Sequence, residues 1–240
     1  SPTSLDPHYH QLSPNNAVAA MVFDRLVNTD NLARQIPGLA TEWRAVDPTT
    51  WEFRLRPNVR FHNGNAFTAE DVAFTLQRVP NVPNSPASFA GFVRAIQRVE
   101  VVDPLTIRFH TAQPHPILPT ELASVFIVSR HVGEGASTED YNAGRAAIGT
   151  GPYRFVSHRQ GDRTELARND RHWAAAQPWA RVSYRFVAND PARSAALLAG
   201  DVDVIDQIAS ADLARLRREP RIAVSEVQGL RLVYLMADFS

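Results

Sequence analysis

Between residues 50 and 79 the hydrophobic pattern changes from a two-residue repeat to a helical repeat. In the segment TWEFRLR, three apolar side chains, Trp51, Phe53 and Leu55, alternate with charged ones, which predicts a half-buried strand. A Pro-Asn pair then predicts a turn, and a helical pattern follows it. A strand, a turn and a helix in this order predict a chain that mixes α and β structure.

The predicted helix carries its own start signals. Thr68 stands at the N-cap and Asp71 three residues later, which approximates a capping box. Phe67 and Val72 have the spacing of a hydrophobic staple, and Glu70 lies in the first turn, where the helix dipole favours a carboxylate. The buried stripe is expected to consist of Val72, Leu76 and Val79, with Arg78 near the carboxyl end.

Two further patterns follow along the chain. Residues 97–102 and 105–110 alternate around an Asp-Pro pair and predict a hairpin. The last third alternates strand and helix patterns, which predicts an α/β lobe with a mostly parallel sheet. Its predicted strands are 180–187, 201–206, 221–227 and 230–237, and its predicted helices start at the N-caps Asp190 and Ser210, the first ending at Gly200.

Composition excludes several classes of protein. The 240 residues carry 25 basic and 25 acidic side chains, so no overall field favours a nucleic acid or an anionic membrane. The absence of cysteine rules out disulfides, thiol nucleophiles and cysteine-ligated zinc. No apolar window is long enough to span a bilayer, and the first residues do not form a signal sequence, so an exported protein is expected to have lost its signal already.

An enzymatic alternative rests on His62, Glu70 and Asp71. A histidine near two carboxylates could serve acid–base or metal chemistry, as in a secreted hydrolase. Neighbouring helical residues point about 100° apart, so the two carboxylates are poorly placed to converge on one ion. Helix capping explains the same residues, and the chain contains no Gly-x-Ser-x-Gly or phosphate-loop motif. We therefore expect no enzyme activity, no catalytic residues and no cofactor.

A second chemical alternative is a metal site at His8 and His10. The two histidines are two residues apart in a segment expected to be extended, so both would face the same side. A metal site needs a third or fourth ligand that this spacing does not provide, and the other histidines form no metal-binding pattern. We expect that no metal is bound; the alternative is a metal site formed by His8 and His10.

Eight segments of the sequence resemble, in the same order, the motifs of a known family. They are SLDPH (4–8), MVFDRLV (21–27), IPGLATEW (36–43), WEFRLRPNVRFHNGNAFTAEDVAFTLQRV (51–79), GTGPYRF (149–155), ARNDRHW (167–173), RSAALLAGDVDVID (193–206) and LVYLMADF (232–239). On these segments the chain resembles the extracellular solute-binding proteins of ABC importers, family 5, which include the oligopeptide-, dipeptide- and nickel-binding proteins. Members of that family are about twice as long, so the resemblance implies an N-terminal half.

The resemblance implies a periplasmic-binding-protein-like α/β fold of type II, in the class with an extra subdomain. The first lobe and the subdomain would be present and the second lobe missing. Residues 1–30 and 147–240 would form the first ligand-binding lobe, and residues 31–146 the inserted α+β subdomain. In the whole protein the two lobes would close over a peptide or other small polar solute, or alternatively over a nickel or metal chelate.

The resemblance also implies partners, location and a ligand site. The partners would be the permease and ATPase subunits of an ABC importer, with no nucleic acid, and the location would be the periplasm or the outer cell surface. By position in the family, the residues at the ligand cleft would be His8, Tyr9, His10, Gln228, Leu230 and Arg231. The guanidinium of Arg231 could pair with a ligand carboxylate or phosphate, or with Glu226 nearby.

Four further residues receive structural assignments. Tyr153 and Trp173, which belong to segments shared with the family, are expected to pack in the interior first and to line the cleft only second. Asp24 and Arg25 are expected to form a solvated or lobe-internal pair in the helix after the first strand.

Overall fold

The computed structural model describes residues 1–226, and the chain divides into two compact units. The larger unit comprises residues 1–30 and 35–186, and the smaller one comprises residues 31–34 and the chain from Val187 onward. Gln228, Leu230 and Arg231 lie outside the described residues, as does the strand predicted at 230–237. The division into a lobe (1–30 and 147–240) and a subdomain (31–146) stays a prediction.

The larger unit is built from antiparallel sheets and mostly short helices. Helix α1 spans Ser13–Val22, and β1 (Val27–Thr29) pairs with β2 (Gln35–Pro37). A four-stranded sheet in the order β3-β4-β6-β5 consists of β3 (Ala40–Asp47), β4 (Thr50–Leu55), β5 (Ile96–Asp103) and β6 (Thr106–Thr111). The helices of the unit after α1 are α2 (Ala69–Arg78), α3 (Leu118–Leu122), α4 (Arg130–Gly133) and α5 (Thr138–Asn142). A second sheet in the order β7-β8-β9 consists of β7 (Tyr153–Arg159), β8 (Arg163–Arg168) and β9 (Arg181–Arg185).

The predicted first strand and the predicted hairpin are confirmed, as β4 and as the β5–β6 pair. Phe53 and Leu55 are buried on the inner face of β4, as the alternation requires. Glu52, on the opposite face, is buried as well, because ion pairs from Arg44 (2.9 Å) and Arg108 (2.8 Å) cover its carboxylate. The polar face of this sheet is therefore a layer of paired charges.

Helix α2 begins as its capping pattern predicts. Thr68 is the N-cap, and its backbone N–H donates to the Asp71 carboxylate at 2.9 Å. The other Asp71 oxygen accepts the backbone N–H of Arg130 at 2.8 Å, so one buried carboxylate serves the starts of both α2 and α4. Phe67 and Val72 are both buried, as a hydrophobic staple requires.

Apolar side chains of the larger unit form two buried clusters. One includes side chains of β4, α2 and β6, among them Phe53, Val72 and Phe109. The other joins α1 to the β7–β8–β9 sheet and contains Tyr153, whose predicted packing role is confirmed by its 6% exposure. Across residues 1–226, every helix is too short or too polar to cross a membrane.

The mostly parallel sheet predicted for the last third is wrong for the described residues. The predicted strand at 180–187 is present as β9, but it pairs antiparallel with β8. Residues 201–206 do not form a strand, nor do residues 221–226, and Val204 is 71% exposed. A buried strand needs a neighbouring strand that pairs its backbone groups. The described part of the smaller unit contains no strand that could serve as this neighbour.

The two helices of the smaller unit begin within one residue of the predicted caps. The N-cap of α6 (Asp190–Ala199) is Asn189 rather than Asp190, and its side chain accepts the N–H of Ala192 at 2.9 Å. Gly200 ends the helix at φ +80°, a conformation that glycine adopts without strain. Helix α7 (Ser210–Leu216) starts at Ser210 itself, with Ala209 at the N-cap.

Candidate functional site

Residues 6–9 form a turn and not the predicted extended segment. The Asp6 carboxylate accepts the backbone N–H of His8 at 3.0 Å, and the Tyr9 N–H donates to the Asp6 carbonyl at 3.3 Å. An Asp-Pro pair favours such a turn, because the aspartate side chain bonds the backbone two residues on and proline presets its own φ. The turn leaves His8 fully buried, whereas Tyr9 and His10 are half-buried.

Both ring nitrogens of His8 are used inside the protein. Nε2 lies 2.7 Å from the carbonyl oxygen of Phe126, and Nδ1 lies 2.8 Å from the guanidinium of Arg78. Since a carbonyl only accepts and a guanidinium only donates, the ring is neutral and carries its proton on Nε2. Burial, with the charge of Arg78, lowers the pKa of His8 to about 4. The His8 side chain therefore has no free lone pair for a metal and no exposed atom for a ligand.

A buried ion pair holds the same turn against two helices. The Arg78 guanidinium, from α2, donates to the two Asp6 oxygens at 2.6 and 2.9 Å, and the Thr138 hydroxyl of α5 donates to Asp6 at 2.8 Å. The ring of Tyr141 lies 4.5 Å from the same guanidinium. Burial alone raises the pKa of Asp6, but Arg78 outweighs it and keeps that pKa below its usual range. The pair therefore ties the N-terminal turn to α2 and α5.

Tyr9 and His10 lie beside the loop between α2 and β5. The Tyr9 carbonyl accepts the Ser85 hydroxyl at 2.6 Å, and Nδ1 of His10 lies 3.1 Å from the Thr3 hydroxyl. The His10 carbonyl also accepts the side-chain amide of Asn15 at 3.2 Å, so the backbone of both residues is held in place while part of each side chain stays accessible. Their assignment to a ligand site stays a prediction, as do those of Gln228, Leu230 and Arg231. Glu226, the alternative partner of Arg231, forms an ion pair with Arg217.

Asp24 and Arg25 do not form the predicted pair, nor do they lie in a helix. Helix α1 ends at Val22, and Arg25 forms an antiparallel bridge with Phe126, so the chain here is extended. Adjacent residues of an extended chain point to opposite sides, which separates the two charges. Throughout the described part of the chain, no ion pair connects them.

Asp24 instead belongs to a buried polar cluster. Its carboxylate accepts the Thr150 hydroxyl at 2.9 Å and the indole N–H of Trp173 at 2.8 Å, and Nε2 of His172 lies 3.6 Å away. Trp173 packs against the core, as predicted, and the Arg56 guanidinium lies 4.1 Å from its ring. Sequence reasoning missed this cluster because Asp24 is more than 100 residues away from Thr150, His172 and Trp173, and the shared segments VFDRL, GTGPY and NDRHW were its only signal.

His62 secures a glycine-rich loop. Its Nε2 lies 3.0 Å from the Gly151 carbonyl, its Nδ1 accepts the Gly149 N–H at 3.3 Å, and burial lowers its pKa to about 4. A Cβ atom at Gly149 would collide with the carbonyl oxygen of Val22, so the loop requires glycine there. Within residues 1–226, no hydrogen bond or ion pair joins His62 to Glu70 or Asp71, so the pairing that the hydrolase alternative needs is not formed.

Replacing Glu70 should have only a small effect on stability. Glu70 is exposed in the first turn of α2, where its carboxylate meets the helix dipole. We expect Glu70→Ala to lower the free energy of unfolding, measured in urea, by less than about 1 kcal/mol. Asp71→Ala, which removes both capping hydrogen bonds, is the comparison variant and should cost clearly more. Equal losses in the two variants would contradict the capping account.

The cavity between α2, β5 and α4 has a volume of about 630 Å³. Its lining mixes the acidic residues Glu70 and Glu134 with the basic residues Arg94 and Arg130, and it contains none of the predicted ligand-binding residues. Within the described range, no three histidine, aspartate or glutamate side chains form a group that could hold a metal ion.

Comparison with known proteins places these observations in one family. Residues 34–240 match the family model for bacterial extracellular solute-binding proteins, family 5 Middle. The peptide transport periplasmic protein SapA of Salmonella typhimurium is 28% identical, over 92% of this chain and 44% of SapA. Heme-binding protein A of Haemophilus influenzae is 30% identical, with the same shares of 92% and 44%.

A solved structure supports the same relationship. NikZ from Campylobacter jejuni, crystallised with Ni(L-His), superimposes with a TM-score of 0.81 at 25% identity, over 92% of this chain and 44% of NikZ. The chain therefore spans less than half the length of the proteins it matches, and it has the periplasmic-binding-protein fold over the part it spans. Since the family model matches most of its residues, the chain belongs to family 5 of the bacterial extracellular solute-binding proteins.

Proposed function

We propose that the protein is the substrate-binding component of an ABC importer. It captures a peptide or a similar small polar solute between two lobes and delivers it to a membrane permease driven by ATPase subunits. The observation that carries this proposal is the family match over residues 34–240, together with relatives named as periplasmic transport proteins. Such a protein works outside the inner membrane, in the periplasm or at the cell surface.

The chemistry of the described residues supports binding over catalysis. His8, His62 and Asp71 each have their polar atoms committed to internal hydrogen bonds, which hold turns and helix starts in place. A general acid or base must reach a substrate atom, and these three groups do not. A lobe that closes over a solute needs such rigid supports, because the binding surface must keep its shape while the hinge moves.

The proposed ligand is a peptide, bound mainly through its main chain. Main-chain hydrogen bonding tolerates many side chains, which suits an importer of nutrients. Within the described residues, Tyr9 and His10 are the proposed contacts, with His8 supporting their turn from inside. Gln228, Leu230 and Arg231 are proposed at the other end of the chain. A metal chelate is the second candidate, favoured by the likeness to NikZ with Ni(L-His), and the metal would then be cargo.

Isothermal titration calorimetry on the whole binding protein tests this proposal. Trialanine and a small set of other tripeptides are titrated with and without EDTA, and Ni(L-His) is titrated separately. We expect micromolar or tighter peptide binding that the chelator leaves unchanged. Binding of Ni(L-His) alone, abolished by EDTA, would replace the peptide proposal with the chelate. Mass spectrometry of small molecules that co-purify with the protein provides an independent check.

A further inference from the structure

Arg25 differs from the other partly buried arginines of the larger unit. Arg78 pairs with Asp6, and Arg108 pairs with Glu52. The guanidinium of Arg25 makes no hydrogen bond or ion pair with any other residue of the described range, and its Nε is buried without a partner. An unpaired buried donor costs free energy, and more so when it is charged, so such a group calls for an explanation.

The neighbouring carboxylate does not neutralise Arg25. Asp24 is committed to Thr150 and Trp173, with His172 close by. Burial lowers the pKa of Arg25, against the attraction of Asp24, but a guanidinium keeps its proton at any physiological pH. The chain therefore holds a permanent positive charge that no described residue pairs with.

The position of that charge is well defined. The Arg25 guanidinium lies 4.0 Å from the centre of the Phe126 ring, and Phe126 is itself buried. The Arg25 backbone bridges Phe126, and its carbonyl accepts the Leu39 N–H at 2.8 Å. A planar guanidinium held against an aromatic ring loses little further freedom on binding, which favours recognition of a carboxylate or phosphate by its fork of donors.

We propose that Arg25 recognises an anionic group of the solute, a carboxylate or a phosphate, through its terminal amino groups. The inference rests on the proposed solute-binding function and adds to it a charge requirement for the ligand. A peptide would meet that requirement with its C-terminal carboxylate or an acidic side chain. Arg25 would thereby discriminate against neutral analogues of the same shape, because these leave its charge unpaired.

The first test observes Arg25 directly and does not depend on the natural ligand. In ¹⁵N-arginine-labelled whole protein, the Nε–H resonance of Arg25 is identified by its loss in Arg25→Lys. Acetate, inorganic phosphate and acetamide are then titrated at constant ionic strength. We expect a saturable shift with an anion and none with acetamide, with the Arg78 resonance unmoved as the internal control. A shift with acetate alone assigns a carboxylate, and a shift with phosphate alone assigns a phosphate. No saturable shift with either anion would overturn the proposal.

The second test measures what Arg25 contributes to affinity. Trialanine and its C-terminal amide are titrated calorimetrically into wild type, Arg25→Ala, Arg25→Lys and Arg159→Ala. Charge-assisted hydrogen bonds predict that Arg25→Ala weakens binding of the free acid about 10- to 100-fold while hardly affecting the amide. Arg25→Lys should fall between, because it keeps the charge and loses the fork. Arg159, which is 83% exposed, is the matched control and should change nothing.

The two tests separate failure of this inference from failure of the proposed function. If wild type binds trialanine and Arg25→Ala binds it equally well, the protein is a peptide-binding protein and the role of Arg25 is refuted. If wild type binds no peptide but the Arg25 resonance responds to an anion, anion recognition stands and the peptide assignment fails.

Discussion

Replacing Arg78 with alanine is expected to lower the free energy of unfolding by about 3–5 kcal/mol, because it leaves a buried carboxylate without its partner. The Asp6 side chain is 0% exposed and the Arg78 side chain 10%, and the nearest charged atoms are 2.6 Å apart. The change also removes the donor to Nδ1 of His8 and the cation beside Tyr141. Urea unfolding followed by circular dichroism provides the measurement.

Arg159→Ala is the control for loss of an arginine in general. Its guanidinium lies 3.8 Å from Asp162 and is 83% exposed, so we expect a change within about 0.5 kcal/mol. Asp6→Asn combined with Arg78→Ala should destabilise less than the sum of the two single changes, since the double variant leaves no buried charge unpaired. A loss below 1 kcal/mol in Arg78→Ala alone would show that the ion pair does not hold the N-terminal turn.

The protein is also expected to lose stability steeply as the pH falls from 6.5 towards 4. His8 and His62 have an ordinary pKa of 6.5 that folding lowers to about 4, mainly through burial. Between these values the unfolded chain binds a proton at each ring and the folded chain does not. The stability that the neutral rings provide is therefore complete above pH 6.5 and is lost on acidification. The slope approaches about 1.4 kcal/mol per pH unit for each histidine.

Unfolding free energies measured at intervals between pH 7 and pH 4 test this expectation. His62→Gln should reduce the slope by about half, because one of the two titrating rings is gone. Asp6 affects stability at a lower pH. Because folding lowers its pKa, the stabilisation that its carboxylate provides is lost only as the pH falls below the usual carboxylate range. Asp71 acts in the opposite direction, because burial raises its pKa and its contribution is lost as the pH rises. A flat profile from pH 7 to 5 would contradict the assignment of neutral, buried rings.

Local sequence patterns predicted the elements of the larger unit where local physics decides the outcome. The β4 strand, the β5–β6 hairpin and the Thr68 cap of α2 follow from alternation, turn residues and capping within a few positions of the chain. The same reasoning failed at residues 201–206, because strand formation depends on a partner that a short apolar pattern does not specify.

At the candidate site, too, the sequence predicted some features and missed those that depend on contacts between distant residues. Resemblance over eight segments identified the family, and the match over residues 34–240 confirmed it. It also pointed to His8, but the turn at Asp6 buries that ring, and no spacing rule reveals that its nitrogens meet Phe126 and Arg78.

By itself, the sequence determined the family, the absence of cysteine chemistry and the local starts of helices and strands, since these depend on composition and on neighbours along the chain. Only the tertiary structure decided which polar groups are satisfied and which are not. It paired Arg78 with Asp6 and left Arg25 against Phe126 without a described partner. Chain packing decides whether charged groups that are distant in sequence form an ion pair. The free-energy cost of burying a charge depends on whether it has such a partner.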